Sequence, residues 1–269
     1  MSQTKLSVNR MVDGGYLSWA YGAIGSKAWQ PMRREYSRRS GSLLCLDSQR
    51  SFRKEFYPDY KSHRKAKREK RSQIHEKVVN FQAYLREDSS LMTWGVEGLE
   101  ADDLIAVTSL SKGLPALAQD KDLLQIPDLV MTRLDGSRVT IEHFASRQAK
   151  KVEPLVRTPE QILLTLTLLG DKSDDIPRLV PPRGLQLFEL ILTSENPWKR
   201  AEQMFKTEDL YRNLALAILP SPWCFKKVPL PDELYAQVSS GEFWSRRDWS
   251  NEILEFLELL EVQESCDNW

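Results

Sequence analysis

The sequence predicts an α/β protein with a central, mainly parallel sheet flanked by helices. Three observations predict it. Three short apolar runs, at residues 8–12, 43–46 and 114–118, have the length of buried strands. Helix-like segments separate the second run from the third, the pattern of a parallel sheet with covered faces. Each run also leads into an aspartate: Asp13, Asp47 and, past Gln119, Asp120. Ligands bind beyond the carboxyl ends of the strands in such sheets, so the third observation bears on function too.

The remaining elements follow in chain order. Ile74, Val78, Phe81 and Leu85 make one apolar stripe of a helix over 74–85. It follows the run 61–71, KSHRKAKREKR, with seven Lys or Arg and one Glu. Residues 101–110 read as a short helix behind Glu100. Residues 129–141 place Asp135-Gly136 between β-prone side chains, a hairpin signal. Thr158-Pro159-Glu160 is a helix start, with Thr as cap and Pro in the first turn; this helix is expected to run through Leu169 and stop at Gly170. A Leu- and Ala-rich helix is expected at 210–219, ended by Pro220, and a last amphipathic helix with an acidic face at 253–262. The stretches 177–183 and 219–232 read as ordered connections, and no internal repeat is visible.

The 269 residues are 41% hydrophobic and 28% charged, which suits one large domain with a sizeable core. No run approaches the ~18 apolar residues of a membrane span. The start, MSQTKLSVNRMVDGG, lacks the apolar stretch of a secretory signal. Cys45, Cys224 and Cys266 are odd in number and far apart, neither a disulfide framework nor a zinc motif, so a reducing, cytoplasmic setting is expected. The net charge of zero conceals a division. Residues 1–80 hold 18 Lys or Arg against 7 Asp or Glu, and the remainder holds 20 against 31. A basic first part suggests a polyanion partner.

The acidic residues fall in short groups. Glu100, Asp102 and Asp103 lie at a helix start, where negative charge is ordinarily tolerated. Asp120 and Asp122 follow the third run; Asp171 and Asp174 follow the helix that ends at Gly170. Each motif alone is more often surface or cap than chemistry. Gathered with Asp13 and Asp47, these carboxylates would repel one another severely unless divalent cations lay between them. An all-oxygen donor set suits Mg²⁺, and the near absence of His and Cys disfavours zinc. Two such ions would serve phosphodiester hydrolysis, and the run 61–71 would hold the phosphate backbone. The bland alternative for that run is a solvated helix face.

These residues together resemble the 5′-nuclease family, the 5′–3′ exonucleases and flap endonucleases with their PIN-like fold. LLCLDSQRSFRKEFYPDYKSHR (43–64) is similar to the family's second strand and the start of its helical arch, VEGLEADDLIAV (96–107) to its acidic helix segment, AQDKDLLQ (118–125) to its next aspartate pair, and LLGDKSDDIP (168–177) to its last. The motifs come in family order over about residues 8–190, and LYRNLALAILP (210–220) is similar to free-standing, phage-type members.

The resemblance implies a single domain over 1–269: an α/β core over 1–157 with a basic arch at about 54–90, then a helical, helix–hairpin–helix-like DNA-binding region over 158–269. It implies that Asp13, Asp47, Glu100, Asp102 and Asp103 surround a first metal, and that Asp120, Asp122, Asp171 and Asp174 shape a second. It makes Lys61, Arg64 and Asp171 catalytic, with Lys61 and Arg64 on the scissile phosphate. Arg53, Lys54, Lys65, Lys67, Arg68, Arg178 and Arg183 become nucleic-acid contacts, and Tyr60 a ring for stacking on a terminal base. His63 is a further candidate for phosphate contact. Implied cofactors are two Mg²⁺, with Mn²⁺ as a substitute. The implied partner is DNA with 5′ ends, flaps or nicks, RNA–DNA included, met by a monomer without a membrane, in the host cytoplasm if phage-encoded. The activity implied is hydrolysis during replication and primer or flap removal. The alternative is a catalytically weakened DNA-structure-binding protein of the same fold; a phosphatase using Asp120 and Asp122 alone leaves the other acids unexplained. Departures exist. Ala20 stands where the family often has arginine, with Lys27 as a possible substitute, and Asp175 where it has asparagine. The stretch 178–184 lacks the glycines of the family's hairpin, which weighs against a K⁺ ion there.

Overall fold

A computed structural model describes residues 5–64, 69, 72–148, 155–219 and 250–262. The sheet strands are β2 (Arg10–Asp13), β3 (Ser42–Cys45), β4 (Met92–Trp94), β5 (Ala116–Leu117), β6 (Met131–Thr132) and β7 (Arg138–Val139), in the spatial order β4-β3-β2-β5-β6-β7. All neighbours are parallel except β6 and β7, the hairpin expected around Asp135-Gly136. β1 (Leu6–Val8) pairs in parallel with β8 (Leu260–Val262) in a separate two-stranded sheet.

The strands are continuous apolar runs because both sheet faces are covered. Successive residues split between the faces: Met11, Leu43 and Ala116 pack into one core with the helices Ala101–Lys112 and Pro159–Leu169, and Val12, Leu44 and Leu117 into the other with Met32, Tyr36, Phe81 and Leu85. Asp13 therefore lies beside Cys45 in register, at the carboxyl edge of the sheet. The capped helix starts as expected, with the Gln161 N–H donating to Thr158 Oγ1 and Pro159 in the first turn.

Four expectations are corrected. The run 8–12 is two strands, broken at Asn9, whose side chain donates to Ser40 O. The final helix stops at Leu259, because Leu260–Val262 finds an edge to pair with on β1. The Leu- and Ala-rich helix spans Thr207–Ala217, ending before the proline. Ile74 is 43% exposed, so the buried stripe begins at Val78. Met92–Trp94 had no strand signal, being three residues long; Trp94 stacks on Phe256, centroids 4.2 Å apart. Helices at Trp29–Glu35, Phe52–Phe56, Leu185–Leu192 and Pro197–Met204 also went unread. Lys65, Lys67, Arg68, Cys224, Cys266 and most of 219–232 lie outside the described residues.

Candidate active site

The site begins where β2 and β3 end. Asp13 caps the first helical turn, its Oδ1 accepting from Gly15 N (2.8 Å) and Tyr16 N (3.1 Å). Gly14 is required there, since a Cβ would fall 2.7 Å from Cys45 O. Asp13 and Asp47 converge on the next glycine: a Cβ at Gly15 would lie 3.2 Å from Asp13 Oδ1 and 3.5 Å from Asp47 Oδ2. Asp47 also accepts from Ala101 N (2.9 Å), the first residue of the helix that carries Asp102 and Asp103. Asp120, three residues beyond β5, caps a short 3₁₀ turn by accepting from Asp122 N (2.9 Å).

Their electrostatics record the crowding. Burial, then the Asp47 and Asp120 carboxylates, push Asp13 up to about 7. Burial and the neighbouring Asp120 and Asp13 push Asp102 well above the usual carboxylate range. Burial and Asp120 push Asp122 up to about 8, against the pull of Lys121. Desolvation by the surrounding chain and the neighbouring Glu100 raise Asp47, a shift that its exposure to solvent tempers.

A second group of acids is neutralised by the chain's own cations. Glu100 Oε2 accepts from Lys61 Nζ (2.9 Å) and Tyr60 Oη (3.0 Å); burial favours its neutral form, but Lys61 and Arg53 overcome this and hold it at about 2. Asp174 receives Arg64 at 2.5 Å and Tyr60 Oη at 3.0 Å. Lys121 bridges Asp122 and Asp171, and Ser173 donates to Asp171 through both N and Oγ, at 2.7 Å each. Burial opposes ionisation of Asp171, yet Lys121 and Ser173 keep its pKa low. The loop can turn so tightly because Gly170 has φ +67°, and a Cβ there would meet Ile176 O at 2.4 Å. Asp175, also left-handed at φ +58°, accepts from His63 N (3.0 Å) and Nδ1 (2.8 Å), tying this loop to the base of the basic segment. An aspartate suits that conformation as an asparagine does.

Beside the acids opens a cleft of about 720 Å³ lined by Arg64, Asp120, Lys121, Asp171, Lys172 and Arg178. Sequence reasoning missed Lys121 and Lys172 as cationic walls; their signal was their place inside the two aspartate motifs.

Three expectations fare differently. Arg53 is 1% exposed and makes a two-point ion pair with Asp103, 2.7 Å on each arm, while donating to Leu216 O (3.2 Å) and Ile218 O (3.0 Å). It is a buried brace, not a phosphate contact, and it occupies both oxygens of Asp103. Tyr60 is 2% exposed beneath the Lys61 ammonium, so its ring offers no stacking face. Lys54, Arg178 and Arg183 are exposed, Arg178 Nε donating to Val180 O (2.6 Å).

The donors fit a hard divalent cation in part. Asp13, Asp47, Asp102 and Asp120 are oxygen donors with no Lys or Arg paired to them among the described residues, and their mutual repulsion is what a cation relieves. Asp103 does not fit. Among the described residues no three His, Cys, Asp or Glu form a ready-made cage, as the mutual repulsion of like charges dictates.

A parallel α/β sheet with acids at its carboxyl edge and a basic segment beside it defines the class, and comparison with known proteins supplies the family. Residues 18–153, half of the chain, match the model of the 5′-3′ exonuclease N-terminal resolvase-like domain, and the chain belongs to that family. It is similar to a 5′-3′ exonuclease of Buchnera aphidicola subsp. Schizaphis graminum, 27% identical over 162 residues, covering 58% of this chain and 53% of that one. The chain thus matches about half the length of that relative. Its fold is similar to the bacteriophage T5 D15 flap endonuclease in a pseudo-enzyme-product complex with DNA and metal ions (TM-score 0.58, 19% identity, 94% of this chain and 99% of that one). It is equally similar to the T5 D15 protein co-crystallised with metal ions (TM-score 0.60, 17% identity, 95% and 100%). Among the described residues no helix is long and apolar enough to cross a membrane.

Proposed function

We propose that the chain is a divalent-cation-dependent 5′–3′ exonuclease or flap endonuclease that hydrolyses DNA phosphodiesters, in replication and in primer or flap removal, in a phage or bacterial setting. One observation carries this reading: carboxylates from five chain segments meet at the carboxyl edge of the sheet, against a cleft walled by Arg64, Lys121, Lys172 and Arg178. Anionic ligands alone would not need those acids, and a cation site alone would not need that wall.

Asp13, Asp47, Asp102 and Asp120 would hold one Mg²⁺, and Asp122, Asp171 and Asp174 would shape a second once Lys121 and Arg64 turn toward phosphate; Mn²⁺ would substitute. Bound there, such ions supply Lewis acidity toward phosphoryl oxygens and lower the pKa of water. The chain's own residues do the rest. Arg64, 38% exposed at its side chain, offers a two-point fork to a phosphate, and the Lys61 and Lys121 ammonium groups offer point charges. Asp175 with His63 holds the base of the arch against the Asp171–Asp174 loop, so these cations and acids keep their relative positions. The departures at Ala20 and 178–184 would shift duplex contact to Lys27, Arg178 and Arg183.

Incubation of end-labelled 5′-flap, nicked and blunt duplexes with Mg²⁺ tests the proposal. Cleavage should yield 5′-phosphorylated products, stop in EDTA and vanish in Asp171→Ala while substrate binding persists. Binding without turnover on all three would instead leave the chain a structure-binding member of its family.

A further inference from the structure

We propose that a second groove, at the end of the sheet opposite the carboxylates, holds the phosphate backbone of the bound nucleic acid. The groove is about 680 Å³ and its walls include Arg33, Arg34, Arg39, Ser37, Ser40 and Ser90. It lies where the helix Trp29–Glu35 ends and where β3 and β4 begin: Arg38 N donates to Ser90 O (2.9 Å), and a β-bridge joins Ser37 to Leu91. The chain from Ser40 to Asp47 crosses the sheet from end to end, so roughly 20 Å separates this groove from the acids.

The arginines here are of two kinds. Arg33 is held by Ser90 Oγ (2.7 Å) and Asp88 (2.9 Å), Arg38 by Leu91 O (3.0 Å), and Arg10 by Ser42 Oγ (2.9 Å) with its guanidinium over the Tyr36 ring. Arg34 and Arg39 are exposed, and among the described residues neither has a carboxylate within ion-pair distance. Of the nearby acids, Asp88 is already engaged by Arg33, Tyr84 and Ser90, and Glu35 lies near Tyr21. Two exposed forks without an ion-pair partner thus line a concave surface, and they carry the phosphate contact, because the Ser37, Ser40 and Ser90 hydroxyls beside them already donate within the chain.

The occupant follows from what the groove lacks. Every residue of its wall is polar, so it has no pocket for the apolar anchor on which peptide binding depends. Arginine forks match phosphates in two-point geometry. A strand held at the carboxylates advances about 3.4 Å per nucleotide, so a backbone reaching the groove would do so about six nucleotides away. This inference rests on the nuclease reading for the identity of the polyanion.

The double variant Arg34→Gln/Arg39→Gln tests it, both side chains being exposed. Binding is read by fluorescence anisotropy in EDTA, on flap duplexes extending ~12 or ~4 base pairs beyond the junction, lengths on either side of the six-nucleotide reach. The variant should bind the long duplex about tenfold more weakly, with a logarithmic salt slope shallower by about 2, and the short duplex unchanged. Equal affinity and slope for parent and variant on the long duplex overturn the proposal, as does an equal loss on both lengths. Polyglutamate bound by the parent as tightly as the long duplex, and lost in the variant, overturns it in favour of an acidic protein. Absence of Mg²⁺-dependent cleavage by the parent strikes only the nuclease reading, because the anisotropy comparison needs no turnover.

Discussion

Asp13, Asp47, Asp102 and Asp120 stand without a basic partner among the described residues, whereas Glu100, Asp103, Asp171 and Asp174, a short distance away, each hold a lysine or arginine. The two groups share chemistry and share one end of the sheet, yet one member of each shows opposite behaviour: the pKa of Asp13 rises to about 7 and that of Glu100 falls to about 2. Position near other acids is common to both, so the counter-charge makes the difference. Asp122 shows how finely it is apportioned. It shares Lys121 with Asp171, but burial and Asp120 outweigh that lysine and leave Asp122 at about 8, whereas Lys121 and Ser173 together keep Asp171 low. The paired group takes its counter-charges from the polypeptide; in the proposed function the unpaired group would take them from an added cation.

The comparison breaks first at the unpaired acids. Asp102→Asn should lower Mg²⁺-dependent cleavage on the order of 10³-fold, the equivalent of several kcal/mol of charge stabilisation. Loss under tenfold in single-turnover assays would place Asp102 outside the reaction. In the paired group the largest effect is on stability. Arg53→Met strands the buried Asp103 and should cost about 3–5 kcal/mol, read as a lowered urea midpoint. An unchanged midpoint would show that the brace carries no weight. Lys61→Ala takes one cation from Glu100, which keeps Arg53 and Tyr60 as partners, and should slow turnover about 10²-fold while substrate affinity changes far less. Equal losses in both would assign Lys61 to binding alone.

The smallest effect sharpens the contrast through pH. Asp13 and Asp122 have ordinary values of 3.8 when unfolded and about 7 and about 8 when folded, so between these limits the folded, cation-free chain binds more protons than the unfolded one. Their stabilising contribution is complete below about pH 4 and is lost as pH rises through 7 and 8. Melting temperature in EDTA should therefore fall between pH 5 and pH 8, and Mg²⁺ should raise it more at pH 8 than at pH 5. A Mg²⁺ effect independent of pH would mean that these carboxylates do not meet the ion.

The parts read correctly from sequence were those with local causes. The runs at 43–46 and 114–118 announced strands because a sheet covered on both faces must be apolar on both. Thr158-Pro159 announced a helix start because capping is a matter of adjacent residues. The acids at strand ends were visible for the same reason, since an apolar run and the polar residue that stops it are neighbours in the chain. Arg53 and Tyr60 were misread because both sit in a polar, basic stretch that looks like surface. Their burial depends on partners far away: Asp103 and Leu216 for Arg53, Glu100 and Asp174 for Tyr60.

By itself, the sequence determined the strands at 43–46 and 114–118, the helix start at Thr158-Pro159 and the acids that end those apolar runs, because burial on both faces and capping leave their marks on near neighbours. Tertiary structure alone decided which acids receive a lysine or arginine and which do not, that β8 closes on β1, and that arginines from Arg10 to Arg39 collect around a groove. Those outcomes rest on Coulomb and hydrogen-bond contacts between segments tens to more than a hundred residues apart, and their strength depends on a distance that no local pattern records.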